Sequence, residues 1–188
     1  MITIYYPIYL DIKDRPCLVV GGGKIALRKI KGLLECGAEV EVVSLKVEPA
    51  IKEIVPEDNI QIGPYNSTHC VNKEIVIAAT NDNQLNQQIY HDAKKNGALI
   101  NVVDQPHLCQ FIMPAVVRRG KMQIAISTGG SSPALAKKIR QELEGKYSTD
   151  YDDKMELMDQ LRTLIKENVE NSTTRQKIFD KMAELVKN

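Results

Sequence analysis

An α/β fold built on a parallel sheet is predicted by three observations on this 188-residue sequence. β-branched runs alternate with helical patterns over its first two thirds, a glycine triplet ends the first apolar run, and Ile75 to Ala79 is apolar without interruption. A strand of the last kind is buried on both faces, as a parallel strand between two layers of helix would be.

The elements follow in order. Cys17 to Val20 leads into glycine, and Ala26, Ile30, Leu33 and Leu34 then recur at helical spacing until Gly37 stops the helix. Val40 to Val43 is a second strand, Ile60 to Ile62 a short third and Ile75 to Ala79 the fourth. Leu85, Ile89 and Ala93 mark another helix, closed by Asn96-Gly97, and Ala98 to Val103 supplies the fifth strand. Such β-α-β alternation calls for a parallel sheet with helices on both sides.

From about Pro114 the pattern changes. Ala115 to Arg118 and Met122 to Ser127 are strands joined by Arg119-Gly120-Lys121, which is hairpin chemistry. Ser132 caps a helix with Pro133 at its first position and Leu135, Ala136, Ile139 and Leu143 on its apolar face, and Gly145 is expected to end it. Residues 149 to 187 read as two helices, with stripes of Met155, Met158, Leu161 and Ile165 and of Ile178, Met182 and Leu185, broken at Asn171 to Thr174. These stripes suit a core or a dimer contact better than a cofactor box. The expected division is residues 1–113, 114–147 and 148–188.

Composition sets the class. Hydrophobic content of 43% and charged content of 26% are those of a soluble globular protein. With 25 basic against 24 acidic residues, the total charge points to neither nucleic acid nor an anionic membrane as partner. No apolar stretch approaches the roughly 20 residues needed to span a bilayer. The opening Met1 to Pro7 lacks the features of a secretory leader and reads as mature protein. Cys17, Cys36, Cys70 and Cys109 show no C-x-x-C spacing, so reduced thiols and a cytoplasmic location are expected.

Gly21-Gly22-Gly23-Lys24-Ile25-Ala26 fits G-x-G-x-x-A, directly after a strand and opening a helix. Glycines there allow a tight turn and bring a pyrophosphate close to backbone N–H groups at the positive end of the helix, the dinucleotide-binding arrangement of a Rossmann-type domain. The acidic residue usual some 20 positions on is missing, since the second strand ends in Ser44-Leu45-Lys46. Ser44 is placed to bond the adenosine ribose. Lys46 either attracts a 2′-phosphate or points to solvent, and solvent is favoured.

Polar clusters end the fourth and fifth strands: Thr80-Asn81-Asp82, and Asn101-Val102 followed by Val103-Asp104-Gln105-Pro106. Carboxyl ends of parallel strands are where open α/β sheets bind ligands, so both clusters are expected to face the cofactor. Two roles fit Asp104: a general base beside the reacting atoms, or the cap of the Gln105-Pro106 turn. The spacing of Asp104, His107 and Cys109 matches no usual closed metal site, and no metal is expected. His69 and His91 read as surface residues. Thr128-Gly129-Gly130-Ser131-Ser132-Pro133 is a second glycine-rich turn into a helix, able to bind carboxylates through backbone N–H groups. Arg118, Arg119, Lys121, Lys137, Lys138 and Arg140 surround it in sequence. An acidic substrate suits this zone; a domain elbow with solvated cations is the other reading.

Together, Val19 to Lys29, Ala79 to Asp82, Asn101 to Asp104, Phe111-Ile112-Met113-Pro114-Ala115 and Ser127 to Ala136 resemble, in order, the blocks of the precorrin-2 dehydrogenase family, the N-terminal module of siroheme synthases. The resemblance covers about residues 4 to 145 and reaches the helical tail only in length and character. It implies a Rossmann-type NAD-binding domain, a small α+β dimerisation region and a C-terminal helical domain, in an intertwined homodimer that encloses a tetrapyrrole. The implied reaction is oxidation of precorrin-2 to sirohydrochlorin with NAD, and Asp104 falls on the family's catalytic carboxylate. Positions beside Lys24-Ile25 and Leu45-Lys46 match the family's NAD contacts, so the missing acid is ordinary here. Arg118, Thr128, Gly129, Gly130 and Ser131 are expected to receive the substrate. Some members also insert iron into sirohydrochlorin, which is the alternative activity. A dinucleotide sensor without chemistry is the reading from a different class.

Overall fold

The computed structural model describes residues 4–187, in two compact units, of which Tyr5–Ile112 is one and the chain from Met113 onward forms nearly all of the other. The first unit holds β1 (Pro16–Val20), α1 (Lys24–Leu34), β2 (Glu39–Ser44), α2 (Pro49–Lys52), β3 (Ile60–Ile62), β4 (Ile75–Ala78), α3 (Asn83–Lys95) and β5 (Leu99–Val102). Its strands form one sheet in the order β3-β2-β1-β4-β5, and every pairing is parallel. β1 pairs with β2 and β4 on its two sides, Val19 lying opposite both Val42 and Ile77.

The period of two along each strand divides the core between the two faces. Cys17, Val19, Val40, Val42, Ile75 and Ile77 pack under Ala26, Ile30 and Leu33 of α1 and Ile51 of α2. Leu18, Val20, Val76, Ala78, Ile100 and Val102 pack under Ile89 and Ala93 of α3. The short α2, and the single turns at Glu57–Asn59 and Ser67–Cys70, carry no periodicity that the sequence reading could use.

The outer edge of β5 is closed by the chain that follows it. Gln110 N–H donates to Ile100 O (2.9 Å), Ile100 N–H to Gln110 Oε1 (3.2 Å) and Val102 N–H to Cys109 Sγ (3.3 Å). These bonds satisfy backbone groups that an open edge would leave exposed.

The second unit contains the antiparallel hairpin β6 (Ala115–Arg119) and β7 (Met122–Ile126), followed by α4 (Pro133–Lys146), α5 (Asp150–Asn168) and α6 (Ser172–Lys187). Three expectations are corrected here. Gly145 does not end α4, which continues to Lys146. The guanidinium of Arg119 caps its last carbonyls instead, donating to Tyr147 O (2.7 Å) and Glu144 O (3.1 Å). Ser172 to Thr174 belong to the first turn of α6 rather than to a break, because Asn171 Oδ1 accepts the Thr174 N–H (2.9 Å). Leu185 is 70% exposed, and Val186, four residues after Met182, continues the stripe in its place. α5 and α6 are joined by Arg162 over the Phe179 ring at 4.9 Å. Among the described residues no helix is long and apolar enough to cross a membrane.

Candidate active site

Sheet order decides where a ligand can enter. The chain runs outward from β1 through β2 to β3 and then returns to β4 on the other side of β1, which opens a crevice at the carboxyl ends of β1 and β4. The glycine turn and the Thr80 cluster stand at this crevice, and the Asp104 cluster ends the next strand.

Each glycine of the turn has its own reason. Gly21 has φ 125°, and a Cβ there would stand 2.2 Å from Ala79 O. At Gly22 a Cβ would stand 2.0 Å from Lys46 O and 2.8 Å from Val47 Cα, so this glycine lets the β2 end close on the turn, where Glu48 N–H donates to Gly22 O (2.8 Å). At Gly23 φ is −88°, and a Cβ would meet nothing within 4 Å. Neither backbone nor packing demands glycine at that position. The bare backbone and the open space lie at the N-terminus of α1, which carries no side-chain cap. Uncapped N–H groups beside free space are what a pyrophosphate requires, so the residues fit a dinucleotide.

A hollow of ≈ 240 Å³ is lined by Ile25 of α1, by Ala79, Thr80, Asn81, Asn83 and Asn86 after β4, and by Val103, Asp104 and Gln105 after β5. Asp82 is taken up as the N-cap of α3, its Oδ1 accepting from Gln84 N–H (2.9 Å) and Leu85 N–H (3.1 Å). Asn86 is 1% exposed; Thr80 Oγ1 donates to its Oδ1 (2.7 Å) and its Nδ2 donates to Thr80 O (3.2 Å). Gln105 Nε2 donates to Asn83 Oδ1 (2.9 Å), tying the loop after β5 to the first turn of α3.

Asp104 is exposed and holds φ 59°, the left-handed region that an L residue enters at a cost. The turn beyond it is closed by other groups. Gln105 N–H donates to Val102 O, Leu108 N–H to Gln105 O and Cys109 N–H to Pro106 O, while the Cys109 thiol donates to Val102 O (3.1 Å). Burial pushes that thiol above its ordinary range. On α1, burial and the neighbouring Arg28 hold the Lys29 ammonium below its ordinary value, while the charges of Cys109 and Asp104 pull it the other way.

The remaining expected residues are placed as follows. Lys24, Leu45 and Lys46 are exposed, and the Ser44 hydroxyl spends its proton on Lys46 O (2.7 Å), leaving only its lone pairs for a ribose. Asn101 is buried and its Nδ2 donates to Phe111 O (2.9 Å). Val102 points into the core with α3. Neither side chain lines the hollow; Val103 and Asp104 do. His107 is exposed on its turn, His91 is exposed, and His69 is held by Asn66 and Gln61. Among the described residues no three His, Cys, Asp or Glu side chains group as metal ligands.

In the second unit the turn before α4 has Gly129 at φ 61° and Gly130 at φ 88°. Most of its N–H groups are used within it: Gly129 to Ser127 Oγ (3.1 Å), Ser131 to Thr128 O (3.0 Å) and Ser132 to Thr128 Oγ1 (3.0 Å). Of the basic residues, Arg119 caps α4 and Arg140 pairs with Glu144. Lys121 meets Asp159 at 2.5 Å. Arg118, Lys137 and Lys138 are exposed. Sequence reasoning missed Asn83 and Asn86; the available signal was Asn86, an amide in register with the apolar positions Ile89 and Ala93 of α3.

A parallel sheet with an uncapped glycine turn beside β1 and a polar hollow at the next strand ends defines a dinucleotide-binding α/β protein. Known proteins agree. Residues 8–115 match the family described as "Putative NAD(P)-binding", and residues 119–146 match "Sirohaem biosynthesis protein central". The siroheme synthase of Actinobacillus pleuropneumoniae serotype 3 is 36% identical over 95% of this chain and 37% of its own length. That of Nitrosococcus oceani is 37% identical over 95% of this chain and 38% of its own. The solved structure of SirC, a precorrin-2 dehydrogenase, superposes with a TM-score of 0.78 at 31% identity, covering 95% of this chain and 89% of that one. The chain belongs to the precorrin-2 dehydrogenase and siroheme synthase family. It spans less than two fifths of the length of these siroheme synthases.

Proposed function

We propose that this chain oxidises precorrin-2 to sirohydrochlorin, with NAD taking a hydride and Asp104 taking a proton. The observation that carries the reading is the hollow, which sets an exposed, left-handed Asp104 on the same wall system as the bare N-terminus of α1. The likeness to SirC over 89% of that chain supplies the substrate class.

When bound, NAD supplies the hydride acceptor. The N–H groups after Gly22 and Gly23 would hold its pyrophosphate, Ser44, Leu45 and Lys46 would serve the adenosine, and Ile25, Thr80 and Asn81 would serve the rest. The exposed Asp104 carboxylate accepts the substrate proton as the hydride departs, becoming a carboxylic acid that returns the proton to water. Asn101 acts through the chain rather than by contact, fixing the segment after Asp104 through Phe111. Arg118 and the turn from Thr128 through Gly129 and Gly130 to Ser131 serve the carboxylates of the tetrapyrrole, with Lys137 and Lys138 adding exposed positive charge. On the strength of the family resemblance we further propose a cytoplasmic homodimer.

The test follows NADH absorbance in anaerobic mixtures of protein, NAD and precorrin-2. Asp104→Ala is expected to bind NADH as the unaltered protein does and to lose at least about 100-fold in turnover, the lower range for a general base. Undiminished turnover in that variant overturns the role given to Asp104. No NADH production by the unaltered protein overturns the dehydrogenase reading itself.

A further inference from the structure

We infer that Asn86 is a positioning residue for the dinucleotide, fixing through two reciprocal hydrogen bonds to Thr80 the loop that forms one wall of the hollow. The inference rests on the proposal that the hollow binds NAD, and it assigns a role to a residue that the glycine motif and the Asp104 block leave aside.

Asn86 sits one turn into α3, and its neighbours in register, Ile89 and Ala93, are fully buried. A primary amide at 1% exposure is costly unless its polar atoms are matched. Here they are matched by a single residue. Its Oδ1 accepts the Thr80 hydroxyl proton at 2.7 Å and its Nδ2 donates to the Thr80 carbonyl at 3.2 Å, so side chain and main chain of Thr80 are both gripped. Asn86 N–H donates to Asp82 O (2.9 Å) as the helix begins. The same hydroxyl oxygen of Thr80 lies 3.2 Å from Asp82 N, accepting its proton. The segment from Thr80 to Asp82 is thereby set from below, with Thr80 and Asn81 left facing the hollow beside Ile25. An aliphatic residue would serve the packing of α3 as well as Asn86 does. The amide is explained only by what it holds.

The consequence is specific to the cofactor. Asn86 makes no bond to the loop of Asp104 or to the glycine turn, so loss of its amide weakens dinucleotide binding without removing the proton acceptor. The measurement is the dissociation constant of NADH on the 188-residue chain, read from NADH fluorescence, with thermal stability recorded in parallel. Asn86→Ala is expected to weaken NADH binding at least about fivefold, the lower end for leaving buried hydrogen-bonding groups unmatched. Thr80→Val, a milder change that removes the hydroxyl alone, is expected to weaken it in the same direction, and the double variant to bind more weakly than the unaltered protein by less than the product of the two single losses. Asn96→Ala serves as the structural control, since it removes an amide bond to Asp92 O (2.8 Å) at the other end of α3. It is expected to cost stability and leave NADH affinity unchanged. If Asn86→Ala and Thr80→Val bind NADH as the unaltered protein does, or if Asn96→Ala weakens binding equally, the inference is wrong. If the unaltered protein itself does not bind NADH, the failure lies with the proposed cofactor and not with Asn86.

Discussion

Gly22 and Gly23 are adjacent in one motif yet answer to different constraints, and this separates folding from binding. A side chain at Gly22 collides with the backbone of Lys46 and Val47, which cannot swing aside, whereas at Gly23 it enters open space. Gly22→Ala is therefore expected to lower stability by about 1–3 kcal/mol, the range for overpacking. Gly23→Ala is expected to stay within about 1 kcal/mol, the usual difference between these residues at a helix N-cap, and yet to weaken NADH binding. Denaturant unfolding beside NADH titration checks both; equal destabilisation by the two would undo the distinction. The motif's existence was plain in the sequence, but the division of labour was not, because it depends on how closely the end of β2 approaches. Cys17 on β1 is a second case in which surroundings set the chemistry. Burial pushes its thiol to about 11 from 9.0. Its folded value lies above its unfolded one, so the native state holds the proton more tightly. That stabilisation is complete below pH 9 and is lost as pH rises toward about 11. It amounts to about 3 kcal/mol, at about 1.4 kcal/mol for each pH unit between the two values. Cys17→Ala is expected to flatten part of the alkaline fall in melting temperature; an unchanged slope would remove Cys17 as its source.

The strands and long helices were legible because β1 and β4 are short apolar runs buried on both faces, while α1 and α3 carry apolar residues at intervals of three to four. Where termini rest on long-range partners the sequence misleads. Gly145 looks like a helix stop, but the guanidinium of Arg119, from the hairpin, caps the carbonyls beyond it. At α6 the partner is local: Asn171 caps the helix through the Thr174 N–H and draws Ser172 into it, a signal the sequence did carry. The candidate site shows the same limit. Asp104 and Thr80 could be placed from their positions at strand ends, while the bond from Gln105 to Asn83 joins a loop to a helix start 22 residues away and leaves no trace in local pattern. This bond carries its own consequence, because Gln105 follows Asp104 directly and Asp104 holds a left-handed conformation. Gln105→Ala is expected to lower kcat about two- to tenfold, as loss of one net hydrogen bond allows. Asn83→Ala should do the same, while Asn83→Asp keeps an acceptor for the Gln105 amide and should retain most of the rate. If Asn83→Asp proves as slow as Asn83→Ala, the bond does not position the loop.

The two units differ in how fully they bury themselves. The sheet unit seals β1 on both faces and nearly all the fully buried side chains belong to it, whereas beyond residue 112 the described residues include only Val117 and Ala136 among the buried hydrophobics. Leu135, Leu157, Leu164 and Leu185 in that stretch are about half exposed or more. Ordering each residue costs about 1–2 kcal/mol of backbone entropy, and small bodies with few buried side chains rarely offset that alone. The hairpin and three helices thus have reason to find apolar surface on another molecule, which supports the proposed homodimer: binding that occurs only in the folded state raises stability with concentration. Dilution from about 50 µM to about 50 nM is therefore expected to increase hydrogen exchange in residues 115–187. Exchange in β1 and β4, sealed within their own unit, should hardly change. Peptide-resolved exchange at the two concentrations distinguishes the outcomes. Concentration-independent exchange throughout would mean that the second unit is ordered within one chain, and the homodimer would then lose this support.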